Sequence, residues 1–173
     1  MAGDLATTRE LAEDEGASAF ESESDPTARA QMWSARHNAL MASLALSPGS
    51  RAMTTDVAVP VSELAGAIEQ ARRALEESGL SGGIVGHAGD GNFHVAFLLD
   101  PDDAASIEQA EALNTRVVED ALARGGTCTG EHGIGYGKLA YLTLEHGDLL
   151  PLMRGIKELL DPNGIMNPGK VVA

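Results

Sequence analysis

Two histidines flank a short, glycine-rich turn, and their spacing suits two ligands of one metal ion. Residues 86–94 read Gly-His-Ala-Gly-Asp-Gly-Asn-Phe-His. Asp90-Gly91 predicts a two-residue type I′ hairpin turn, in which both central residues have positive φ. Counted outward from that turn, His87 faces His94 across the hairpin, with Cβ atoms about 5 Å apart. Each imidazole could then give one nitrogen to a divalent ion at about 2.0–2.1 Å. The alternative is a hairpin whose two histidines are satisfied separately.

A glycine-rich loop, residues 125–138, carries the second chemical signal, the dipeptide Glu131-His132. Its glycines allow the backbone to approach a ligand closely. With the two hairpin histidines, Glu131 would complete a set of three protein ligands, which leaves a catalytic metal one open position. His132 could serve beside it as a general base. The alternative is a surface Glu-His pair in a flexible loop. A dinucleotide-binding fingerprint is rejected, because the glycine spacing differs and no Val/Ile-rich strand precedes the loop.

Alternating and helical patterns around these motifs predict the elements that must position them. Residues 52–59 alternate as a strand, and an amphipathic helix follows through Leu64 and Leu75 to Gly79. The hairpin then contributes two strands, and residues 103–124 form a long helix with an apolar stripe. The order strand, helix, strand, strand, helix is typical of an α+β fold. We expect an antiparallel or mixed sheet covered on one face by helices.

Helical segments are also predicted before this region. Residues 1–25 contain eight acids and one base. We expect a short helix ending at Gly16 and a short strand at residues 17–20, or else a solvated acidic arm. Asp25 followed by proline is typical of a helix N-cap, so a helix is predicted over residues 26–46.

Two short helices are predicted after the glycine-rich loop, the second over about residues 148–160. Asp161-Pro162-Asn163-Gly164 ends it, and the remaining residues indicate an extended tail. The predicted fold is therefore α+β with a helical C-terminal tail.

Composition limits the classes of partner. The 173 residues allow one domain, or one domain and a fragment of a second. A net charge of −14 argues against nucleic acid and anionic membranes as partners, since both need a basic surface. The single cysteine, Cys128, excludes an internal disulfide and suits a reducing compartment. No run of about 18 apolar residues predicts a transmembrane helix. We expect a cytoplasmic location.

Three motifs together resemble one enzyme family. They are the hairpin, residues 126–135 (Gly-Thr-Cys-Thr-Gly-Glu-His-Gly-Ile-Gly), and residues 160–170 (Leu-Asp-Pro-Asn-Gly-Ile-Met-Asn-Pro-Gly-Lys). This combination is similar to the C-terminal half of the FAD-linked D-2-hydroxyacid dehydrogenases, in the vanillyl-alcohol-oxidase-like flavoprotein superfamily. Residues 33–39 and 55–60 favour the lactate branch, with the glycolate oxidases nearby. The resemblance covers residues 30–173.

The resemblance implies roles for individual residues. It implies that a divalent metal, Zn, Mn or Fe(II), is bound by His87, His94 and Glu131, and that His132 is the base for the substrate hydroxyl. It implies further that the substrate carboxylate is bound by Arg36, with Arg51 as a second basic residue, and that the segment from Asn167 to Lys170 returns to the flavin. For Arg36 the alternative is a surface arginine lying over Trp33, three residues earlier.

The same resemblance implies an organisation and a reaction. We expect residues 1–29 to be an acidic remnant of a cap domain, residues 30–143 to bind substrate and metal, and residues 144–173 to pack on an FAD domain. The expected reaction is oxidation of a D-2-hydroxy acid, D-lactate to pyruvate, by metal-assisted hydride transfer to FAD. It implies an electron acceptor, and peripheral association with a membrane through that acceptor is the variant of the cytoplasmic location. The 173 residues do not include the FAD-binding domain, so we expect a truncated reading frame or one piece of a split enzyme, inactive alone. The alternatives are a non-catalytic metal-binding subunit that docks on a separate FAD protein, and a flavin-independent metallohydrolase.

Overall fold

A computed structural model describes residues 2–172, which divide into two units between Ala42 and Ser43. The first unit contains helices α1 (Ala2–Asp14) and α2 (Pro26–His37), and helix α3 (Ala39–Leu46) crosses the division. The second unit contains the strands and the remaining helices. The functional boundaries expected after residues 29 and 143 stay predictions.

The first unit corrects two expectations about local structure. Residues 17–20 form no strand. Asp25 caps α2 as predicted, because its carboxylate accepts hydrogen bonds from the N–H groups of Thr27 and Ala28 in the first turn of the helix. The single helix expected over residues 26–46 is interrupted at Asn38, whose side-chain amide donates to the Ser34 carbonyl at 2.9 Å. Such a local side-chain bond competes with the helical pattern.

The second unit is built on an antiparallel sheet with strand β4 (Asn92–Leu99) in the centre. β4 pairs on one side with β3 (Ser81–His87) and on the other with β1 (Arg51–Thr54) and β2 (Val57–Ala58). β1 and β2 keep the same register against β4, so they are two parts of one strand. The strand expected over residues 52–59 therefore exists but is interrupted at residues 55–56.

One face of the sheet carries the core. Alternate residues of β4 are buried, as expected for a strand with one face inward: Phe93, Val95, Phe97 and Leu99. They form one hydrophobic cluster with the apolar faces of α4 (Leu64–Ser78) and α5 (Ala104–Ala123). Helix α4 ends at Gly79, whose φ of 71° gives the left-handed cap. The α+β architecture with helices on one face of an antiparallel sheet is confirmed.

The hairpin differs from its prediction in loop length. His87 pairs with Asn92, and Val85 pairs with His94, so four residues form the loop. Gly91 has a φ of 71° but Asp90 does not have positive φ, and a two-residue type I′ turn is therefore wrong. The reason is a tertiary contact that the local sequence does not show. The Val59 N–H donates to the Gly91 carbonyl at 3.0 Å, and a Cβ on Gly91 would lie 2.0 Å from the Val59 oxygen.

The C-terminal part contains helices α6 (Leu139–His146) and α7 (Leu150–Leu160). The tail after α7 is not extended, because Asn167 and Val171 both have positive φ. It turns back to the glycine-rich loop, where the Val171 N–H donates to the Gly135 carbonyl at 3.1 Å. None of the helices within residues 2–172 has the length and apolar character needed to span a membrane.

Candidate metal and substrate site

The two hairpin histidines lie on the same face of the sheet, diagonal to each other. Because His87 pairs with Asn92, it is offset by two residues from His94 and keeps the same side. Their ring centroids are 5.9 Å apart, with the rings nearly perpendicular. The prediction of a shared face is confirmed, and the prediction of direct cross-strand pairing is wrong because the loop is two residues longer.

Glu131 reaches this histidine pair from the glycine-rich loop. Its Oε1 lies 3.1 Å from His94 Nε2 and 3.9 Å from His87 Nε2. One ligand atom from each of the three residues falls within 4.8 Å of the others. Two ligands bound at about 2.1 Å to a tetrahedral ion are about 3.4 Å apart. The donor set and its spacing therefore fit a divalent metal.

His94 is oriented by its other ring nitrogen. Nδ1 lies 3.2 Å from the Thr55 carbonyl oxygen, and only 14% of the side chain is exposed. Donation from Nδ1–H to that carbonyl leaves the Nε2 lone pair on the side of Glu131. A second bond of this kind fixes tautomer and ring orientation in metal-binding histidines.

His132 lies directly beside this group. Its ring stacks on the His94 ring, with centroids 5.1 Å apart and planes 17° from parallel. Its Nε2 is 3.8 Å from Glu131 Oε1, and half of its side chain is exposed. An imidazole in this position can exchange protons with solvent and with a molecule bound at the three ligands.

A buried carboxylate, Asp56, lies under the loop that carries Glu131 and His132. Its Oδ2 accepts hydrogen bonds from the His132 N–H at 2.8 Å and from the Thr129 hydroxyl at 2.8 Å. The Glu131 N–H donates to both carboxylate oxygens, at 3.1 and 3.2 Å, and the Asn92 amide donates to Oδ1 at 3.0 Å. Asp56 thus binds the main chain of two predicted site residues.

The charge of Asp56 is held by these donors. Burial alone would raise the pKa of the Asp56 carboxyl, but hydrogen bonds from the His132 N–H, Asn92 and other donors keep that pKa well below its usual range. Lys138 supplies an opposite charge, with Nζ 3.3 Å from Oδ2 and 2.8 Å from the Asp56 carbonyl oxygen. Asp56 is therefore an ionised, fully buried group.

Sequence reasoning assigned no function to Asp56, Asn92 or Lys138. The available signal was that Asp56 is the one charged residue within residues 52–59, a stretch that otherwise predicts a strand. Its partners follow 36 to 82 residues later in the chain, too far for a local pattern to connect them.

A second group of possible metal ligands comprises Asp56, His94 and His132. The hydrogen bonds to Asp56 argue against this group, because both carboxylate oxygens already face protein donors. His94 Nδ1, the nitrogen nearer to Asp56, faces the Thr55 carbonyl as well. His87, His94 and Glu131 are therefore the candidate metal ligands.

Comparison with known proteins gives the family. The model of the family described as "FAD linked oxidases, C-terminal domain" matches residues 2–171. The chain belongs to this family.

Curated relatives of this family member include dehydrogenases and an oxidase subunit. The chain is 44% identical over 173 residues to a probable mitochondrial D-lactate dehydrogenase of Danio rerio, covering 99% of this chain and 35% of the relative. It is 44% identical over 165 residues to the mitochondrial D-lactate dehydrogenase [cytochrome] of Arabidopsis thaliana, covering 95% and 29%. It is 33% identical over 147 residues to the glycolate oxidase subunit GlcD of Escherichia coli K12, covering 84% and 29%. The chain thus spans about a third of the length of these relatives.

A solved structure shares the fold. The 4-ethylphenol oxidase from Gulosibacter chungangensis, in its isoeugenol complex, superposes with a TM-score of 0.60 at 19% identity. The match covers 86% of this chain and 31% of that chain. At this identity the likeness supports the FAD-linked oxidase fold alone.

Arg51 is not brought to the candidate ligands. It lies at the start of β1 and pairs with Leu99, five residues along β4 from His94. At about 3.4 Å per residue, that separation is about 17 Å along the strand. The structure therefore places Arg51, the second basic residue expected at this site, at the opposite end of the sheet from His94.

Arg36 lies on α2 in the first unit. Its guanidinium carbon is 5.5 Å from the centroid of the Trp33 ring, a cation–π geometry. This is the contact that the alternative interpretation of Arg36 expects. Its role as a substrate ligand stays a prediction.

Asn167 and Lys170 lie in the turn of the C-terminal tail. The Asn167 carbonyl accepts from the Lys170 N–H at 3.2 Å, and the Lys170 ammonium lies 5.4 Å from the centroid of the Tyr136 ring. The Tyr136 hydroxyl donates to the Pro168 carbonyl at 3.0 Å. The tail therefore contacts the glycine-rich loop, and the expected contact of Asn167 and Lys170 with a flavin stays a prediction.

Proposed function

We propose that this chain forms the metal-binding and substrate-binding part of an FAD-dependent oxidoreductase that oxidises a D-2-hydroxy acid, with D-lactate to pyruvate as the reaction. The observation that carries the proposal is the convergence of His87, His94 and Glu131 beside His132. Membership of the FAD-linked oxidase family supports it, as do the names of the D-lactate dehydrogenase relatives. The cytoplasmic location stays a prediction, since two of these relatives carry mitochondrial names.

A divalent metal would be held by two imidazole nitrogens and one carboxylate oxygen. Zn, Mn and Fe(II) all accept this mixed donor set. When bound, the metal supplies positive charge that lowers the pKa of a coordinated hydroxyl. The side chains of Glu131 and His87 are 53% and 38% exposed, which leaves room on the open side of the site for a substrate.

His132 is the proposed base. As the substrate carbon–oxygen double bond forms, the hydroxyl proton goes to the His132 imidazole and the hydride leaves the α-carbon. A bound FAD would supply the acceptor for that hydride. His132 stacks on His94 and is half exposed, so it can pass the proton on to solvent.

Orientation of the substrate is the role proposed for Arg36. A guanidinium can form two parallel hydrogen bonds with a carboxylate and so fix the α-carbon relative to the base. Asn167 and Lys170 are proposed to contact the flavin. Arg51 has no part in this proposal, because it lies at the far end of the sheet from His94.

Metal analysis and turnover together test the proposal. We expect one Zn²⁺ per unmodified chain and loss of that ion in His87→Ala and His94→Ala. With a separate polypeptide supplying the flavin-binding half, D-lactate should reduce a dye, and His132→Ala should keep its metal while turnover falls about 10²- to 10⁴-fold. His146→Ala is the matched control, because His146 pairs with Glu145 outside the ligand group.

Two results would contradict specific assignments. Full metal retention in His94→Ala would contradict the assignment of the three metal ligands, and with it the proposed function. Unchanged turnover in His132→Ala would remove His132 as the base while leaving the ligand set intact.

A further inference from the structure

We propose that Asp56 is a positioning residue for the metal centre, and this inference rests on the proposed function. Asp56 sits at the interruption between β1 and β2. It sets the main chain of Glu131 and His132, while its neighbour Thr55 sets the ring of His94. The interruption of the strand would thus hold the ligands Glu131 and His94 and the base His132 in a fixed arrangement.

Thr55 replaces part of the sheet pairing with side-chain contacts. Its N–H donates to the Val95 carbonyl at 2.9 Å, as in an antiparallel ladder. The Val95 N–H, however, donates to the Thr55 hydroxyl at 2.8 Å. The Thr55 carbonyl faces His94 Nδ1 instead. The break in the strand therefore provides the acceptor that orients His94.

Asp56 performs the equivalent task for the loop. Two consecutive N–H groups, those of Glu131 and His132, donate to its carboxylate, and the Thr129 hydroxyl joins them. The loop lies very close to this carboxylate. A Cβ on Gly130 would stand 2.9 Å from Asp56 Oδ1 and 1.7 Å from the Asn92 amide nitrogen. Glu131 therefore leaves the loop in a direction that Asp56 fixes.

The burial of a charge at this point supports a positioning role. Asp56 is fully buried and Lys138 is 15% exposed in its side chain. A buried ion pair is an inefficient way to stabilise a fold, since apolar residues of similar volume often do as well. Groups behind metal ligands, by contrast, commonly orient them, and their loss weakens metal binding.

Asp161 provides a matched control within the same chain. It accepts hydrogen bonds from two consecutive N–H groups, those of Ile165 and Met166, at 3.0 and 2.9 Å, and it pairs with Lys157. Its side chain is 3% exposed. It belongs to neither group of possible metal ligands among the described residues. Asp161 therefore resembles Asp56 in its hydrogen bonds and its ion pair, but it lies outside both groups of possible metal ligands.

Zn²⁺ binding to the full 173-residue chain tests the inference, measured by titration calorimetry with Zn²⁺ alone as the probe. Asp56→Asn should weaken Zn²⁺ binding about 10- to 100-fold, because the neutral amide no longer holds both N–H groups. Asp161→Asn should leave the affinity within about twofold while lowering the melting temperature. With Co²⁺ as the second probe, Asp56→Asn should also change the visible absorption bands, which report ligand geometry, and Asp161→Asn should not.

Where Asp56→Asn does not fold because Lys138 loses its counter-charge, Asp56→Asn combined with Lys138→Met removes both charges and should show the same loss of affinity. Affinity within about twofold of the unmodified chain in a folded Asp56 variant would overturn the inference. If the unmodified chain binds no Zn²⁺, the proposed function itself fails and the inference fails with it. Loss of binding in His94→Ala but not in Asp56→Asn overturns the inference alone.

Discussion

His94 is the residue at which the contacts of the candidate site meet. Nδ1 faces a backbone carbonyl, Nε2 faces Glu131, and the ring stacks on His132. Neither an asparagine nor a glutamine can reproduce all three contacts, because each lacks the flat ring with nitrogens at opposite edges. The chemistry of the site therefore depends on this imidazole more than on the exposed one of His87.

Cys128 has a structural environment rather than a reactive one. It is fully buried, and its N–H donates to Glu145 at 2.9 Å. Burial, together with the neighbouring Glu145 carboxylate, raises the pKa of the Cys128 thiol to about 12.

The native Cys128 thiol should therefore not react with a disulfide reagent such as dithionitrobenzoate at pH 8, because almost none of it is thiolate. One thiol per chain should react after unfolding in guanidinium. Rapid reaction of the folded chain would show that Cys128 is accessible and would contradict this environment.

At the scale of single residues, the sequence predicted the members of the candidate ligand set and missed what holds them. His87, His94 and Glu131 stand in motifs of recognisable spacing, and the structure brings them together. Asp56 has no such motif. Its importance depends on donors from the loop at residues 129–138, and those contacts exist only in the folded chain.

At the scale of elements, the glycine-rich loop is held at several points along its length. Near the start of the loop, the Cys128 N–H donates a hydrogen bond to Glu145 on α6. In the middle of the loop, the His132 N–H donates to Asp56. The tail binds its last part through the Gly135 carbonyl. A segment with many glycines is costly to order, and these bonds offset part of that cost.

Gly130 tests how closely this loop must lie on the strand. A Cβ there would stand 1.7 Å from the Asn92 amide nitrogen, so Gly130→Ala must displace the loop or Asn92. We expect a loss of about 1–3 kcal/mol in the free energy of unfolding, typical of overpacking, together with weaker Zn²⁺ binding.

The matched control for that substitution is Gly137→Ala in the same loop. A Cβ on Gly137 meets nothing within 4 Å, and its φ is not positive. The stability of Gly137→Ala should stay within about 0.5 kcal/mol of the unmodified chain. Equal losses in the two variants, measured by denaturant unfolding, would contradict the close contact at Gly130.

The elements themselves were largely predictable, and their interruptions were not. The Asp90-Gly91 turn signal and its apolar flanks predicted the hairpin strands, and helical periodicity predicted α4 and α5. The hairpin loop was mispredicted because Gly91 is fixed by Val59, a residue outside the hairpin. The strand over residues 52–59 was predicted as continuous because hydrophobic alternation gives no information about the side-chain hydrogen bonds of Thr55 and Asp56.

At the scale of the whole molecule, the chain carries 26 acidic residues against 12 basic ones. Most of the acids are exposed, but Asp56, Glu145 and Asp161 accept backbone hydrogen bonds and are largely buried. The pKa of each of these three carboxyls is lowered in the folded chain. For Glu145, burial raises the pKa, and the hydrogen bonds from the Cys128 N–H, the Cys128 thiol and Thr127, together with the charge of His146, outweigh that effect only in sum.

This pattern predicts acid sensitivity. A carboxyl whose pKa is lower in the folded than in the unfolded state stabilises the fold above its unfolded value, about 4, and that contribution is lost as the pH falls towards the folded value. The free energy of unfolding should therefore fall steeply from about pH 5 to pH 3.

Glu145→Gln should destabilise the chain at pH 7 and make its stability less dependent on pH over that window. Urea unfolding at several pH values measures both effects. A pH dependence as steep as that of the unmodified chain would contradict the lowered pKa of Glu145.

The exposed apolar residues of the C-terminal part also belong to this scale. Leu159 and Leu160 at the end of α7 are 80% and 72% exposed, and Ile165 is 76% exposed. Apolar groups concentrated in this way mark an interaction surface. They support the prediction that residues 144–173 pack on a flavin-binding domain.

The diagonal placement of the hairpin histidines limits how the tip of that hairpin can vary in related proteins. Side chains alternate between the two sides of a strand, so a one-residue shift in the pairing of β3 with β4 would send one imidazole to the core side. A shift of two residues would preserve the side while altering the offset between the rings. Natural variation in the length of the tip should therefore leave the pairing of His87 with Asn92 unchanged in metal-binding relatives.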